Sequence, residues 1–270
     1  MHWLFMRFCD TLLPCQLERP VLLFSGATLS PALVPLRVSG FQKLCKTTYV
    51  DWMPHLPVSV AQQWLLSTAD DNDGGEGSPY QAELDPYCYE GTAVLKNKAG
   101  LSDAVALEKF EAAMTFVRAQ EPLPTGDISL EQYAAIHRHL FQDVYGWAGE
   151  YRTVALSKSG NVFCFPEHIP AAMRDLFEGL SGKNYLRGLS LNNFAAEAAR
   201  CIGELNAIHP FREGNGRAQF SFLAVLAEYA GHPLKMEAMN ADVALDAMVR
   251  SFRKEYDPLT KLITHLASQV

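Results

Sequence analysis

The stretch His209-Pro-Phe-Arg-Glu-Gly-Asn-Gly-Arg217 lies between two segments of helical periodicity and gathers a histidine, a carboxylate and an arginine around two glycines. Glycine lets the backbone turn tightly and come close to a ligand because it has no Cβ atom. A helix that begins at about Asn215 would present free N–H groups and a partial positive charge at this turn. The stretch therefore predicts an anion site suited to a diphosphate.

The polar residues of this stretch match what phosphoryl or nucleotidyl transfer requires. Arg217 offers a fork-shaped cation for phosphate oxygens, and Asn215 offers an amide. Glu213 supplies one carboxylate, and Mg²⁺ bound to phosphates usually takes only one or two from the protein. His209 has an ordinary pKa near neutrality, which suits a general base. Phe211 is expected to anchor the loop in the core and to have no chemical role.

A plain helix end followed by a Gly-Asn-Gly turn is the alternative interpretation of the stretch. It does not explain why a base, a carboxylate and an arginine lie within one glycine-rich turn. The stretch is also not a Walker A loop, because no Gly-Lys-Ser or Gly-Lys-Thr follows the glycines.

The composition of the 270 residues is that of an ordinary globular protein, and the net charge of −7 disfavours binding to nucleic acid. No apolar run is long enough to span a membrane, so we expect no membrane association. The scattered cysteines form no Cys-x-x-Cys pair and are expected to be the reduced thiols of a cytoplasmic protein. These cysteines are Cys9, Cys15, Cys45, Cys88, Cys164 and Cys201.

The chain divides by composition into an N-terminal extension, 1–79, and a helical domain, 80–270. Residues 1–52 show neither a helical nor a strand period and are expected to be poorly ordered, with a partner-docking arm as the alternative. Residues 69–79 are acidic and glycine-rich, as in a linker that cannot bury enough apolar surface to fold.

The domain is predicted to be mostly α, with seven helices and one small hairpin. Candidate N-caps are Ser102, Ser129, Asn240 and Asp257. The first helix would bury a stripe of Val105, Leu107, Phe110, Met114 and Val117, and the fourth a stripe of Phe194, Ala198, Ile202 and Leu205. The third is predicted over 166–180, the fourth over 190–207, and the fifth from the Gly-rich motif to Gly231. Two β-prone runs, 151–156 and 162–165, flank a Ser/Gly/Asn turn and predict the hairpin.

The nine-residue stretch resembles the signature of Fic (filamentation induced by cAMP) domains. That signature is His, any residue, Phe, any residue, Asp or Glu, then Gly-Asn-Gly-Arg, two residues and a second Arg. Segments Tyr89–Gly100, Leu140–Arg152 and Ser157–Asn161 also resemble Fic segments in the family order. The resemblance covers about residues 80–234 and is to the bacterial toxin and effector branch. It implies the Fic fold, a helical bundle with a β-hairpin flap over the active site.

The resemblance implies a protein adenylyltransferase, which transfers AMP from ATP to a Tyr, Ser or Thr hydroxyl of a target protein. His209 is implied as the base that deprotonates the hydroxyl, and Glu213 as the ligand of Mg²⁺. The implied nucleotide-binding residues are Arg212, Gly214, Asn215, Gly216 and Arg217, with Lys96 and Asn97 at the border of the site. The implied flap residues, which would align the target as an added strand, are Lys158, Ser159, Gly160 and Asn161. For the flap lysine and for Lys96–Asn97, a solvated surface residue and a plain polar loop are the alternatives.

Phe220 departs from the family pattern, because the signature places its second arginine at this position. In the family that arginine is associated with the γ-phosphate, and the loss of a charged contact to phosphate costs about 1.5–3 kcal/mol. The departure leaves open full activity, a changed donor with transfer of phosphate, UMP or a similar group, and a nucleotide-binding or interaction module without catalysis.

Regulation by a partner is also implied by the resemblance. Fic proteins are often restrained by a helix carrying Ser or Thr, three residues, then Glu and Gly or Asn, and no such pattern occurs in this chain. If this protein is restrained in that way, the helix must come from a separate small antitoxin. The resemblance implies a location in the bacterial cytoplasm, or delivery into a host cell for an effector.

Overall fold

The computed structural model describes residues 85–158 and 161–268, and this part of the chain is mostly helical. The predicted extension 1–79 lies outside the described residues. The α-helices in the described ranges are α1 (Ala104–Ala119), α2 (Leu130–Phe141), α3 (Ile169–Gly182), α4 (Leu191–Ile208), α5 (Asn215–Ala230), α6 (Ala241–Phe252) and α7 (Asp257–Ala267). Short 3₁₀ turns occupy Pro166–His168, Asn184–Leu186 and Met236–Ala238.

Side-chain caps explain where several helices begin. Ser129 accepts a hydrogen bond from the Gln132 amide at the start of α2, and Asn240 accepts one from Val243 at the start of α6, which confirms both predicted caps. The prediction for α1 was wrong by one residue: Asp103 is the cap, and its carboxylate accepts from Ala106. The last helix starts at Asp257 itself, which lies inside the helix and is not its cap.

Helix α4 lies at the centre of the core and packs against α3, α5, α6 and α7. Its predicted stripe is confirmed, because Phe194, Ala198, Ile202 and Leu205 are all fully buried. Burying each large apolar side chain contributes about 1.5–3 kcal/mol, so this stripe holds α4 in the core.

The predicted stripe of α1 was partly wrong. Leu107 is buried, but Val105 and Val117 are 55% and 43% exposed. The buried face instead contains Glu111 and Thr115, which follow Leu107 at steps of four residues. Hydrophobic periodicity misplaces this face because two of its members are polar and contact a buried arginine of α5.

The hairpin consists of two-residue strands, β1 (Ser157–Lys158) and β2 (Asn161–Val162), paired antiparallel with Ser157 opposite Val162. Ser157, Lys158 and Asn161 lie in the stretch predicted as the turn, whereas Val162 is the first residue of the second predicted run. The rest of the two runs, 151–156 and 163–165, is irregular. The reason is the Arg152 guanidinium, which takes the carbonyls of Val154 and Cys164 at 2.5 Å each, so that these carbonyls bond a side chain and not a neighbouring strand.

Candidate active site

The backbone path of the motif is set by two left-handed residues. Helix α4 ends at Ile208, His209 follows with φ 51° and ψ 61°, and Gly214 has φ 78° directly before α5. The left-handed region is uncommon for a residue with a Cβ and costs on the order of 1–3 kcal/mol. Surrounding contacts therefore have to hold His209, and the first is its carbonyl, which accepts a hydrogen bond from Arg152 Nε at 2.8 Å.

The His209 imidazole lies against the ring of Phe163, with centroids 3.8 Å apart. Its Nδ1 atom is buried and has no hydrogen-bond partner among the described residues. Burial lowers the pKa of His209 to about 3, and the positive charges of Arg152 and Lys158 contribute to that shift. The imidazole is therefore neutral at physiological pH, which is the state that accepts a proton.

Phe211 is fully buried, as expected for an anchor. Its ring stacks on His137, 3.8 Å between centroids, and lies 5.4 Å from Tyr133. The Asn215 amide closes the loop around Phe211: its Oδ1 accepts from the Phe211 N–H at 2.9 Å and its Nδ2 donates to the Phe211 carbonyl at 2.8 Å. In this structure Asn215 therefore braces the loop, and its expected phosphate contact stays a prediction.

Glu213 lies in the turn directly before Gly214, and its side chain is 26% exposed. Its Oε1 accepts from the Gly214 N–H at 2.8 Å and lies 3.6 Å from Arg217 Nη2. The Glu213 carbonyl accepts from His137 Nε2 at 2.9 Å. His137 Nδ1 accepts from the Gly149 N–H, so Nε2 carries the proton, and burial lowers the pKa of His137 to about 3.

Arg217 is 1% exposed and faces α1. It forms an ion pair with Glu111, lies 3.5 Å from the Thr115 hydroxyl, and stacks over Phe141 at 4.5 Å. Burial lowers the pKa of Arg217, but Glu111 and Glu213 outweigh burial and the pKa ends above its ordinary value. The expected contact of Arg217 with phosphate stays a prediction, because its guanidinium is engaged with Glu111 here.

The two glycines of the motif have different surroundings. A Cβ on Gly214 would lie 2.1 Å from a Phe141 ring carbon, and the positive φ would strain it as well. A Cβ on Gly216 would meet nothing within 4 Å. Gly214 is therefore required by the fold of the turn, whereas Gly216 leaves open space beside the first turn of α5.

Arg212 and the loop before α1 form one side of the site. Arg212 donates to Asp85 from Nε and Nη2, at 3.0 and 2.8 Å.

Lys96 donates to the Pro86 carbonyl at 2.9 Å. Asn97 bonds its own loop, with Nδ2 donating to the Leu95 and Leu101 carbonyls. These contacts agree with the alternative of a polar loop, so nucleotide binding by Lys96 and Asn97 stays a prediction.

The flap residues are described only in part. Lys158 is half-buried on β1, and its charge acts on His209. Ser159 and Gly160 lie outside the described residues, and for Asn161 only the strand position is described. The arrangement brings Lys158 close to His209, while the role of all four residues stays a prediction.

Sequence reasoning missed four residues that hold the site: Glu111, Tyr145, His137 and Arg152. Tyr145 donates a hydrogen bond to the Glu111 carboxylate that pairs with Arg217. No spacing rule connects these residues to the motif, because they reach it only through tertiary contacts. The one available signal was that Tyr145 and Arg152 fall within the segment Leu140–Arg152, which resembles the family.

Comparison with known proteins decides the family. The model of the Fic/DOC family matches residues 127–227. The chain is 45% identical over 188 residues to "Probable protein adenylyltransferase y4lH" of Sinorhizobium fredii, a match that covers 69% of this chain and 98% of that protein. This chain belongs to the Fic/DOC family.

Other relatives agree with this Fic assignment. The protein adenylyltransferase VbhT of Bartonella schoenbuchensis is 35% identical over 187 residues, which cover 68% of this chain and 39% of VbhT. The crystal structure of the effector BepC of Bartonella tribocorum, with bound AMPPNP, matches with a TM-score of 0.60 and 28% identity over 67% of this chain and 95% of that one. The expected fold class, a mostly helical Fic fold, is confirmed.

A cleft beside the Fic motif lies between the loop of residues 93–95 and α1. Apolar side chains and polar groups line it together: Val94, Leu95, Leu107, Glu111, Tyr145, Arg212 and Glu213. Phe220, which stands at the position of the second Fic arginine, is only 2% exposed and belongs to the core.

Proposed function

We propose that this chain is a protein adenylyltransferase that transfers AMP from ATP to a hydroxyl side chain of a target protein. The observation that carries the proposal is the half-buried His209, whose Nδ1 atom is enclosed and whose backbone is held in the left-handed region at the end of α4, four residues before Glu213. The names of the relatives and the AMPPNP bound to BepC support it.

In the proposed reaction, the His209 imidazole takes the proton from the target hydroxyl. The hydroxyl oxygen bonds to the α-phosphorus, the bond from this phosphorus to the bridging oxygen breaks, and pyrophosphate leaves. The N-terminus of α5, with Gly214 and Gly216, would bind the phosphates through backbone N–H groups. Arg217 and Arg212 would add positive charge, and Asn215 would keep the loop in shape.

Glu213 would hold Mg²⁺, and its surroundings fit that role. It is a single, partly exposed carboxylate at the cleft, and Mg²⁺ bound to a nucleotide usually takes few ligands from the protein. In the described residues no group of three or more His, Cys, Asp or Glu forms a metal site by itself. When bound, the ion would neutralise charge on the phosphates.

Lys158 and its neighbours on the flap would align the target segment beside His209, as the sequence predicts. A small antitoxin that inserts a helix, and a place in the bacterial cytoplasm or in a host cell, stay hypotheses that follow from the family. No helix in the described part of the chain is long and apolar enough to cross a membrane.

A non-catalytic nucleotide-binding module is the second candidate, and the observation that favours it is Phe220. The buried phenyl ring cannot contact a γ-phosphate, so ATP would bind with one cation fewer. The relatives named as adenylyltransferases give this alternative no added support.

Transfer of α-labelled AMP to proteins of a cell lysate tests the proposal. We expect labelled bands with the natural protein, none with His209→Ala, and strong loss with Glu213→Gln. His265→Ala is the matched control, because His265 is exposed on α7. Binding of labelled ATP without transfer in the natural protein would establish the non-catalytic module instead.

A further inference from the structure

The Arg152 guanidinium is 2% exposed and has no part in the reaction proposed above. It donates to four carbonyl oxygens: those of Val154 and Cys164 at 2.5 Å, His209 at 2.8 Å and Ile208 at 3.3 Å. These carbonyls come from both sides of the hairpin and from the end of α4. One side chain therefore connects the two ends of the hairpin to His209, which is proposed as the general base.

Arg152 also provides a hydrogen-bond donor for the carbonyls at the C-terminus of α4. The last carbonyls of a helix have no partner within it and carry partial negative charge, which favours a cation there. The Ala207 carbonyl of α4 accepts the Cys164 N–H at 3.1 Å, and the Ile208 carbonyl accepts from Arg152. The Arg152 N–H donates to the Pro210 carbonyl at 2.8 Å, so the same residue holds the chain on both sides of His209.

We propose that Arg152 is a positioning residue for the proposed reaction: its guanidinium holds the ends of the hairpin and the left-handed backbone of His209 together and keeps a fixed positive charge near the imidazole. This inference rests on the proposed function of His209. A planar fork with five donors bonds several carbonyls at once, which a lysine ammonium cannot do in the same geometry. Arg152→Lys keeps the positive charge but removes the fork, whereas Arg152→Gln removes the charge. The two effects can therefore be tested separately.

The charge has a consequence for the imidazole. Burial is the main reason why the pKa of His209 is low, and Arg152 is the next. Lys158 on β1 is a further cation near the ring. Cys164 follows β2, and burial raises the pKa of its thiol. Removing the Arg152 charge leaves burial and Lys158, so the pKa of His209 should rise part of the way toward its ordinary value.

The test compares Arg152→Gln and Arg152→Lys with Arg118→Gln, in which an arginine of α1 away from the site loses its pairing with Asp143. The first readout is the titration of the His209 ring by NMR, with its signal assigned by its loss in His209→Gln. The second is hydrogen exchange of the Cys164 and His209 amides. Neither depends on transfer activity, so both remain informative if the chain proves to be no adenylyltransferase.

We expect Arg152→Gln to raise the pKa of His209 by about 1 or more, the usual effect of a nearby charge, and to speed exchange at both amides at least tenfold. Arg152→Lys should leave the pKa low but speed exchange as well, because the charge stays and the fork is lost. Arg118→Gln should change neither. An unchanged His209 titration in folded Arg152→Gln would overturn the proposal. If the Gln variant does not fold, exchange in Arg152→Lys no faster than in Arg118→Gln would overturn it.

Discussion

Arg217 of the motif and Glu111 of α1 form an ion pair whose side chains are only 1% and 8% exposed. Tyr145 donates to the same carboxylate, so the pair is hydrogen-bonded on both sides. Breaking such a pair leaves an uncompensated buried charge, which costs about 3–5 kcal/mol. The pair thus ties the first turn of α5 to α1.

Glu111→Gln should therefore lower the free energy of unfolding by about 3 kcal/mol or more, measured by urea denaturation. Glu108→Gln is the control, because Glu108 is an exposed residue on the same helix and should change stability by less than about 0.5 kcal/mol. The double variant Glu111→Gln/Arg217→Met removes both charges and should lose less than the sum of the single variants. Additive losses would show that the two side chains do not interact.

Gly214→Ala and Gly216→Ala should differ strongly. The methyl group at Gly214 collides with the Phe141 ring and forces a strained φ, so we expect a loss of about 3 kcal/mol or more. At Gly216 the methyl enters open space within a helix, and stability should stay level or rise by about 0.5–1 kcal/mol. Thermal unfolding of both variants checks the contrast. Equal stability would mean that Phe141 moves aside freely.

Stability should fall with acid because His137 is buried in its neutral form. Its pKa is about 3 in the folded chain and near 6.5 in the unfolded chain, so only the unfolded chain binds the proton between these values. The resulting stability is fully present above pH 6.5 and is lost as pH falls toward 3, by about 1.4 kcal/mol per pH unit. Urea unfolding between pH 4 and 7 should show a shallower slope in His137→Gln. His265→Gln should keep the natural slope, and equal slopes in all three proteins would contradict the prediction.

Phe220→Arg should lower the free energy of unfolding, and we do not expect it to restore a contact with phosphate. The position is 2% exposed, and an unpaired charge there would cost several kcal/mol. Phe220→Leu, which keeps the position apolar, should cost less, about 1–1.5 kcal/mol. Urea unfolding together with affinity for labelled ATP checks both variants. An arginine variant with natural stability and tighter ATP binding would show that the side chain extends into the cleft.

Much of the helical framework could be predicted from local signals. Ser129 and Asn240 cap the helices that they were predicted to cap, and the stripe of α4 is buried as predicted. The stripe of α1 could not be predicted well, because Glu111 reads as a surface residue until Arg217 is placed beside it. The strands of the hairpin were displaced for a similar reason: Arg152 takes the carbonyls that ladder pairing would have used.

The sequence by itself determined the family, the order of the helices and the motif between α4 and α5, because these depend on periodicity, caps and the chemistry of nine consecutive residues. Tertiary structure alone decided the state of the side chains. It decided that His209 is neutral, that Asn215 braces its own loop and that Arg217 is paired with Glu111. Burial and contacts between distant segments set these states, and neither is contained in local spacing.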